Sequence, residues 1–199
     1  MARAGRPITK IMRIKVDLIW LIFALLMIAA AAEAQVKKMK IYISVDMEGV
    51  VGVVTGDQLS PTGFEYQRFR EFMTQEANAA IEAAFAGGAT EVVLSDSHGN
   101  AENLLIEKLP KNVTLVRGFP RPMEMMEGLD ETFDGVIFIG YHASTTNSVG
   151  VRAHTFSSAR LADVRVNNVP VSEGSFNAAV AGHFNVPVIM VSGDDAAVA

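Results

Sequence analysis

The sequence contains no cysteine, which excludes disulfide staples, thiolate nucleophiles and thiolate metal ligands together. Any metal must be held by nitrogen and oxygen. A clustered basic face is also missing. Beyond residue 34 the chain carries 12 Lys or Arg, scattered, against 20 Asp or Glu. Nucleic-acid and anionic-membrane surfaces need concentrated positive charge, so both are disfavoured as partners. There is no G-x-S-x-G nucleophile elbow, and neither Gly49-x-x-Gly52 nor Gly135 to Gly140 makes a phosphate-binding fingerprint. No shift in composition marks a second domain, and residues 35–199 are enough to bury one sizeable core.

Long apolar runs are nearly absent too. The exception is Leu18 to Ala32, preceded by Arg3, Arg6, Lys10, Arg13 and Lys15 and closed by Ala32-Glu33-Ala34. A basic lead, an apolar stretch and an A-x-A site together make a secretory signal peptide. The 15-residue run is short for a bilayer span, which favours cleavage near Ala34 over a retained anchor. The expected organisation is a signal peptide over 1–34 and one catalytic domain over 35–199. The expected location is periplasmic or secreted, or cytoplasmic if the leader is not used. No stable membrane span is expected after cleavage.

What is present alternates in period. Met39 to Val45, Thr90 to Leu94, Val113 to Val116, Val136 to Ile139 and Val186 to Val191 read as strands. A long helix is expected after a capping box at Thr62 and Glu65, with Phe69, Phe72, Met73, Ala77, Ala80, Ala84 and Phe85 inward and Gly87-Gly88 as its stop. Glu102 to Leu109 and Ser175 to Phe184 read as further helices, and Met123 to Leu129 as a helical turn whose methionines pack into the core. Thr155 to Val171 reads as an antiparallel excursion turning at Asn167-Asn168. Strands alternating with helices predict an α/β fold, a three-layer αβα sandwich around a mostly parallel sheet.

Such sheets gather function beyond the carboxyl ends of their strands. Asp46 and Glu48 follow the first strand, His98 the second and His142 the fourth, while His154 and Glu173 lie further along the same loop system. Only four histidines are present, and His183 falls at a helix end where a dipole contact is its natural role. Carboxylates with imidazoles and no thiolate suit zinc, manganese or iron rather than magnesium. Roughly two carboxylates and one histidine per ion fits a two-metal hydrolytic centre.

The ordered segments KIYISVDMEGVVGVV, VVLSDSHGNAENL, GYHA and VSEGSFNAAVAGHFNVPVIMVSGDD, running from Lys40 to Asp195, resemble the D-aminopeptidase family of zinc metallopeptidases. The resemblance implies five metal ligands at Asp46, Glu48, His98, His142 and Glu173. Asp46 would bridge two zinc ions, with Glu48 and His98 on one side and His142 and Glu173 on the other. It implies a catalytic nucleophile at His154; the chemistry of an imidazole there equally allows a proton shuttle or an oxyanion donor. It implies release of amino-terminal D-residues from short peptides such as D-Ala-D-Ala, and a homodecameric ring. Members of the family run on past Gly193-Asp194-Asp195, so the family's C-terminal part is expected to be lacking here. The alternatives are another metal-dependent amidase or phosphoesterase with the same centre, or a truncated, non-catalytic metal-binding homologue.

Overall fold

The computed structural model describes residues 20–23 and 38–199. The chain divides into two compact units, Met1–Lys37 and Lys38–Ala199. Residues 20–23 of the first are helical, and the signal-peptide reading otherwise lies outside the described residues. Among those described, no helix is long and apolar enough to cross a membrane.

The second unit is built on strands β1 (Lys40–Val45), β2 (Glu91–Asp96), β3 (Thr114–Val116), β4 (Gly135–Tyr141) and β7 (Val188–Gly193). They form one parallel sheet in the order β3-β2-β1-β4-β7. A strand buried on both faces reads as a continuous apolar run, and β1 (KIYISV) is such a strand, fully buried except at the half-buried Lys40. Its alternate side chains feed two cores. Ile41, Ile43 and Val45 meet the long helix α1 (Tyr66–Ala86) through Phe69, Met73 and Ile81. Tyr42 faces the other side, with Phe138, Met126 and Ala181 of helix α2 (Glu173–His183). Ile43, Met73, Ile81 and Leu94 are wholly buried, and each such side chain contributes roughly 1.5–3 kcal/mol through burial. The expected three layers are present.

The strand order places the site. The chain steps outward from β1 to β2 and β3, then returns to lay β4 on β1's other side. That reversal opens a crevice at the carboxyl ends of β1 and β4, where α/β sheets bind ligands. The exit of β1 is pinned there by Asp46 N–H donating to Ile139 O (2.8 Å) and Gly49 N–H donating to Gly140 O (2.8 Å). Gly140 has φ +71°, and a Cβ on it would stand 2.3 Å from Asp46 O.

Several local expectations are corrected. The capping box at Thr62 and Glu65 does not form, because Thr62 Oγ1 pairs with Ser60 Oγ and residues 60–63 close a turn. α1 therefore starts at Tyr66, and the capping box belongs to Thr55 and Gln58 on the 3-10 turn Gly56–Gln58. Residues 102–109 hold only the 3-10 turn Ile106–Lys108. The amides of Asn103 and Leu104 bond the buried Asp96 carboxylate (2.6 and 2.7 Å) instead of starting a helix. The antiparallel excursion narrows to β5 (Arg165–Val166) and β6 (Val169–Pro170). Its Asn167-Asn168 turn stands where expected, with φ of 50° and 65°. The methionine turn is the 3-10 segment Glu124–Met126, with Met125 and Met126 buried. A last short helix, α3 (Asp195–Val198), follows β7.

Candidate metal centre

Asp46 is the first residue past β1 and Glu48 lies two further on. His98 lies two past β2, His142 directly follows β4, and Glu173 opens α2. Glu173 thus sits on a helix's first turn rather than at a strand or loop edge. Ser172 caps that helix by accepting from Ser175 N–H, which fixes where the Glu173 side chain departs. All five are buried, with exposures between 1 and 8 %. His154, in the loop before β5, is partly exposed.

Each imidazole is held by a backbone carbonyl through one nitrogen. His98 Nε2 lies 2.9 Å from Leu59 O, His142 Nδ1 3.0 Å from Ala143 O, and His154 Nδ1 2.8 Å from Arg152 O. A carbonyl only accepts, so the nitrogen facing it carries the hydrogen. The opposite nitrogens all face carboxylates. His98 Nδ1 is 2.9 Å from Glu48 Oε2 and 3.5 Å from Asp46 Oδ1. His142 Nε2 is 3.3 Å from Asp46 Oδ2 and 3.5 Å from Glu173 Oε2. His154 Nε2 is 3.6 Å from Glu173 Oε1 and 3.9 Å from Glu48 Oε1. Backbone carbonyls commonly fix metal-ligating histidines in this way.

The two oxygens of Asp46 face different histidines. Asp46 Oδ2 and His142 Nε2 are fully buried and have no hydrogen-bond partner. Two lone-pair donors left facing each other in a buried place are costly unless a cation stands between them. Asp46, Glu48 and His142 form one group that could hold a metal ion; His142, His154 and Glu173 form another. The donors are oxygen and imidazole nitrogen, the set that zinc accepts. His154 belongs to one of these groups and His98 to neither. His154 is also the most exposed of the three histidines and stacks on His142 (centroids 4.1 Å apart, 8° between planes).

Electrostatics point the same way. Burial would raise Asp46, but the His142 and His98 imidazoles beside it hold it at about 2. Burial would lower His142, yet Asp46 and Glu173 push it up to about 12. Burial likewise opposes His98, whose neighbours Glu48 and Asp46 hold it well above the ordinary range. The cluster favours positive charge strongly enough to overcome desolvation. In chelator-treated protein that charge is a proton, and a raised folded-state pKa stabilises below the unfolded value and is lost as pH rises toward the folded one. The expected result is a melting temperature that falls from pH 7 to 9 in chelator-treated protein. The zinc-loaded protein should not show that fall, because metal binding displaces those protons. Differential scanning fluorimetry checks both.

Beneath the cluster, Ser44 Oγ pairs with Ser97 Oγ (2.6 Å) and Tyr141 OH (2.8 Å), and Asn177 Nδ2 donates to Tyr141 OH (2.9 Å). This buried polar floor stiffens the ends of β1, β2 and β4. Above it opens a cleft of about 470 Å³ shared by Asp46, Glu48, His98, His154 and Glu173 with Phe119, Arg121 and Glu124. The last three carry no motif that singles them out in the sequence.

Residues 39–199 match the model of the family described as D-aminopeptidase. A curated D-aminopeptidase of Bacillus subtilis (strain 168) is 44 % identical over 159 residues, covering 80 % of this chain and 57 % of its own length. The solved structure described as a Zn-dependent D-aminopeptidase DppA from Bacillus subtilis, a self-compartmentalizing protease, superposes with a TM-score of 0.75 at 44 % identity and the same coverage. The chain therefore spans somewhat over half the length of the relatives it matches. This likeness overturns one expectation. That relative is described as a self-compartmentalizing protease, which conflicts with export, and the periplasmic or secreted placement read from residues 1–34 is withdrawn.

Proposed function

Because the chain belongs to the D-aminopeptidase family, we propose that it is a dizinc aminopeptidase releasing amino-terminal D-residues from short peptides such as D-Ala-D-Ala. The observation that carries this reading is the arrangement of three carbonyl-anchored imidazoles around three buried carboxylates. Asp46, Glu48, His98, His142 and Glu173 would hold the ions, with Asp46 between them. When bound, the metals supply Lewis-acid activation of water and of the scissile carbonyl.

The chain's own groups do the rest. His98 and His142 are locked in one tautomer by Leu59 O and Ala143 O, so the donor set is preorganised. His154 has its Nδ1 occupied by Arg152 O, leaving Nε2 as the nitrogen that accepts, donates or attacks at the reacting carbonyl. In this reading it exchanges a proton there. His154→Gln should keep its full zinc content while kcat falls on the order of 10²- to 10⁴-fold, the usual size of general acid–base assistance. Loss of zinc in that variant would make His154 a ligand instead.

Assembly into a closed homo-oligomer, decameric by resemblance to the family, belongs to the same proposal. It rests on the self-compartmentalizing relative. The test of the function is hydrolysis of D-Ala-D-Ala and L-Ala-L-Ala by the zinc-loaded full chain, alongside an amide and a phosphoester. Selective cleavage of the D-peptide is expected. Turnover confined to the amide or the phosphoester would replace the reading with a different hydrolase built on the same centre.

A further inference from the structure

Arg121 is a buried cation that lacks a counter-ion. It is 6 % exposed. Its Nη1 donates to Ser95 Oγ (3.0 Å) and its Nη2 to Asp96 O (2.8 Å), while Phe119 lies against the guanidinium at 4.4 Å. Among the described residues no carboxylate forms an ion pair with it, and its Nε is buried without a partner. Of the acids nearby, Glu124 shares the cleft without forming an ion pair with Arg121, and the other two are committed elsewhere. Asp96 accepts from Asn103 and Leu104, and Glu127 accepts from Met123 N–H.

A guanidinium has five donors, and two are used. Removing such a charge from water without an anion is expensive, and buried charges are ordinarily paired. Arg121 nevertheless lines the same cleft as Asp46, Glu48, His98, His154 and Glu173. Its two anchors sit on β2's last residues, and the stacked Phe119 fixes its plane. An arginine held in this way presents a rigid fork suited to a carboxylate.

Position sets what that carboxylate belongs to. Arg121 bonds Asp96 O, and His98 is two residues on, at most ~7 Å of extended chain. A dipeptide with its scissile carbonyl at the metal cluster carries its terminal carboxylate one residue further, ~3.5 Å away. The two spans are of the same order.

Resting on the aminopeptidase reading above, we propose that Arg121 is the subsite for the substrate's terminal carboxylate. It makes free dipeptides better substrates than their amides. Charged hydrogen bonds of this kind set an expected preference of about 10- to 100-fold.

The experiment uses the zinc-loaded full chain and a non-cleavable D-Ala-D-Ala analogue, its scissile carbonyl replaced by methylene, as free acid and as amide. Calorimetry should show the acid binding about 10- to 100-fold tighter in the wild type. The preference should shrink to within about threefold in Arg121→Gln and survive in part in Arg121→Lys, which keeps the charge but not the fork. Equal binding of acid and amide by the wild type, no binding of either, or an equal loss for both in Arg121→Gln would overturn the proposal. Should Arg121→Gln fail to fold, the wild-type comparison alone decides. Turnover of D-Ala-D-Ala, measured in parallel, separates the two claims. Acid preference without turnover sinks the D-aminopeptidase reading and keeps the subsite, and turnover without acid preference does the reverse.

Discussion

Asp46→Asn should empty both metal positions, taking bound zinc from about two ions per chain to near zero in a protein that still folds. The reason is geometric. Oδ1 of Asp46 faces His98 and Oδ2 faces His142, so one side chain serves both halves of the cluster. Asparagine keeps the shape but removes the anion, and its amide nitrogen is no ligand for zinc. Even changes outside the ligand shell lower metal affinity or activity about 10- to 100-fold; loss of the shared carboxylate should exceed that. Glu173→Gln is the contrast. Glu173 faces His142 and His154 but not His98, so about one ion per chain should remain. Elemental analysis after gel filtration distinguishes these outcomes. Equal zinc loss in both variants would contradict the bridging role.

Gly140→Ala should be strongly destabilising although Gly140 contributes no side chain to the site. Gly140 lies in β4 with φ +71°, and an added Cβ would meet Asp46 O at 2.3 Å, Asp46 C at 3.0 Å and Val50 Cγ2 at 3.1 Å. Two penalties add. The left-handed backbone costs a side-chain-bearing residue about 1–2 kcal/mol, and forcing atoms into a packed place costs roughly 1–3 kcal/mol more. Together they amount to a large part of the 5–15 kcal/mol, in order of magnitude, that holds a domain folded. Relief would have to come from moving the β1 exit, which carries Asp46 and Glu48. Gly88 is the control, since it also has positive φ (+101°) but nothing within 4 Å of a built Cβ. Gly88→Ala should cost only the conformational part, about 1 kcal/mol. Urea midpoints for the two variants measure the difference. Equal shifts would show that the contact with Asp46 does not matter.

Much of this was legible in the residues. Apolar runs bounded by Asp46, by Ser95 to His98 and by Gly140 to His142 mark strands whose carboxyl ends carry chemistry, and the structure puts those ends side by side. The strand positions held to within two residues, and in β1, β2 and β4 burial on both faces leaves a continuous apolar signal. Local polar competition was harder to see. Residues 102–109 look helical, but the buried Asp96 carboxylate captures the Asn103 and Leu104 amides, and no local propensity encodes that long-range bond. The capping box moved from Thr62 to Thr55 for a related reason, the turn over 60–63 having taken Thr62.

Within the candidate site, the side chains were readable but their orientation was not. Leu59, Ala143 and Arg152 fix the three imidazoles through backbone carbonyls, which every residue possesses and no motif distinguishes. Nothing in the sequence singles out Arg121, because the GFPRP stretch around it has the composition of an ordinary turn-rich loop. Only the fold shows that its guanidinium is buried against β2 without an anion. Glu173 stands among the candidates read from the residues, and its place on the first turn of α2 explains its reach. Its Oε1 accepts from Phe156 N–H at 2.6 Å, which leaves Oε2 facing His142.

The central claim is that these residues form a two-metal centre. Its most direct test is the zinc content of the full chain, loaded with excess zinc, passed through gel filtration and measured by mass spectrometry against protein concentration. The account predicts about two ions per chain. A folded protein that emerges with none would contradict it.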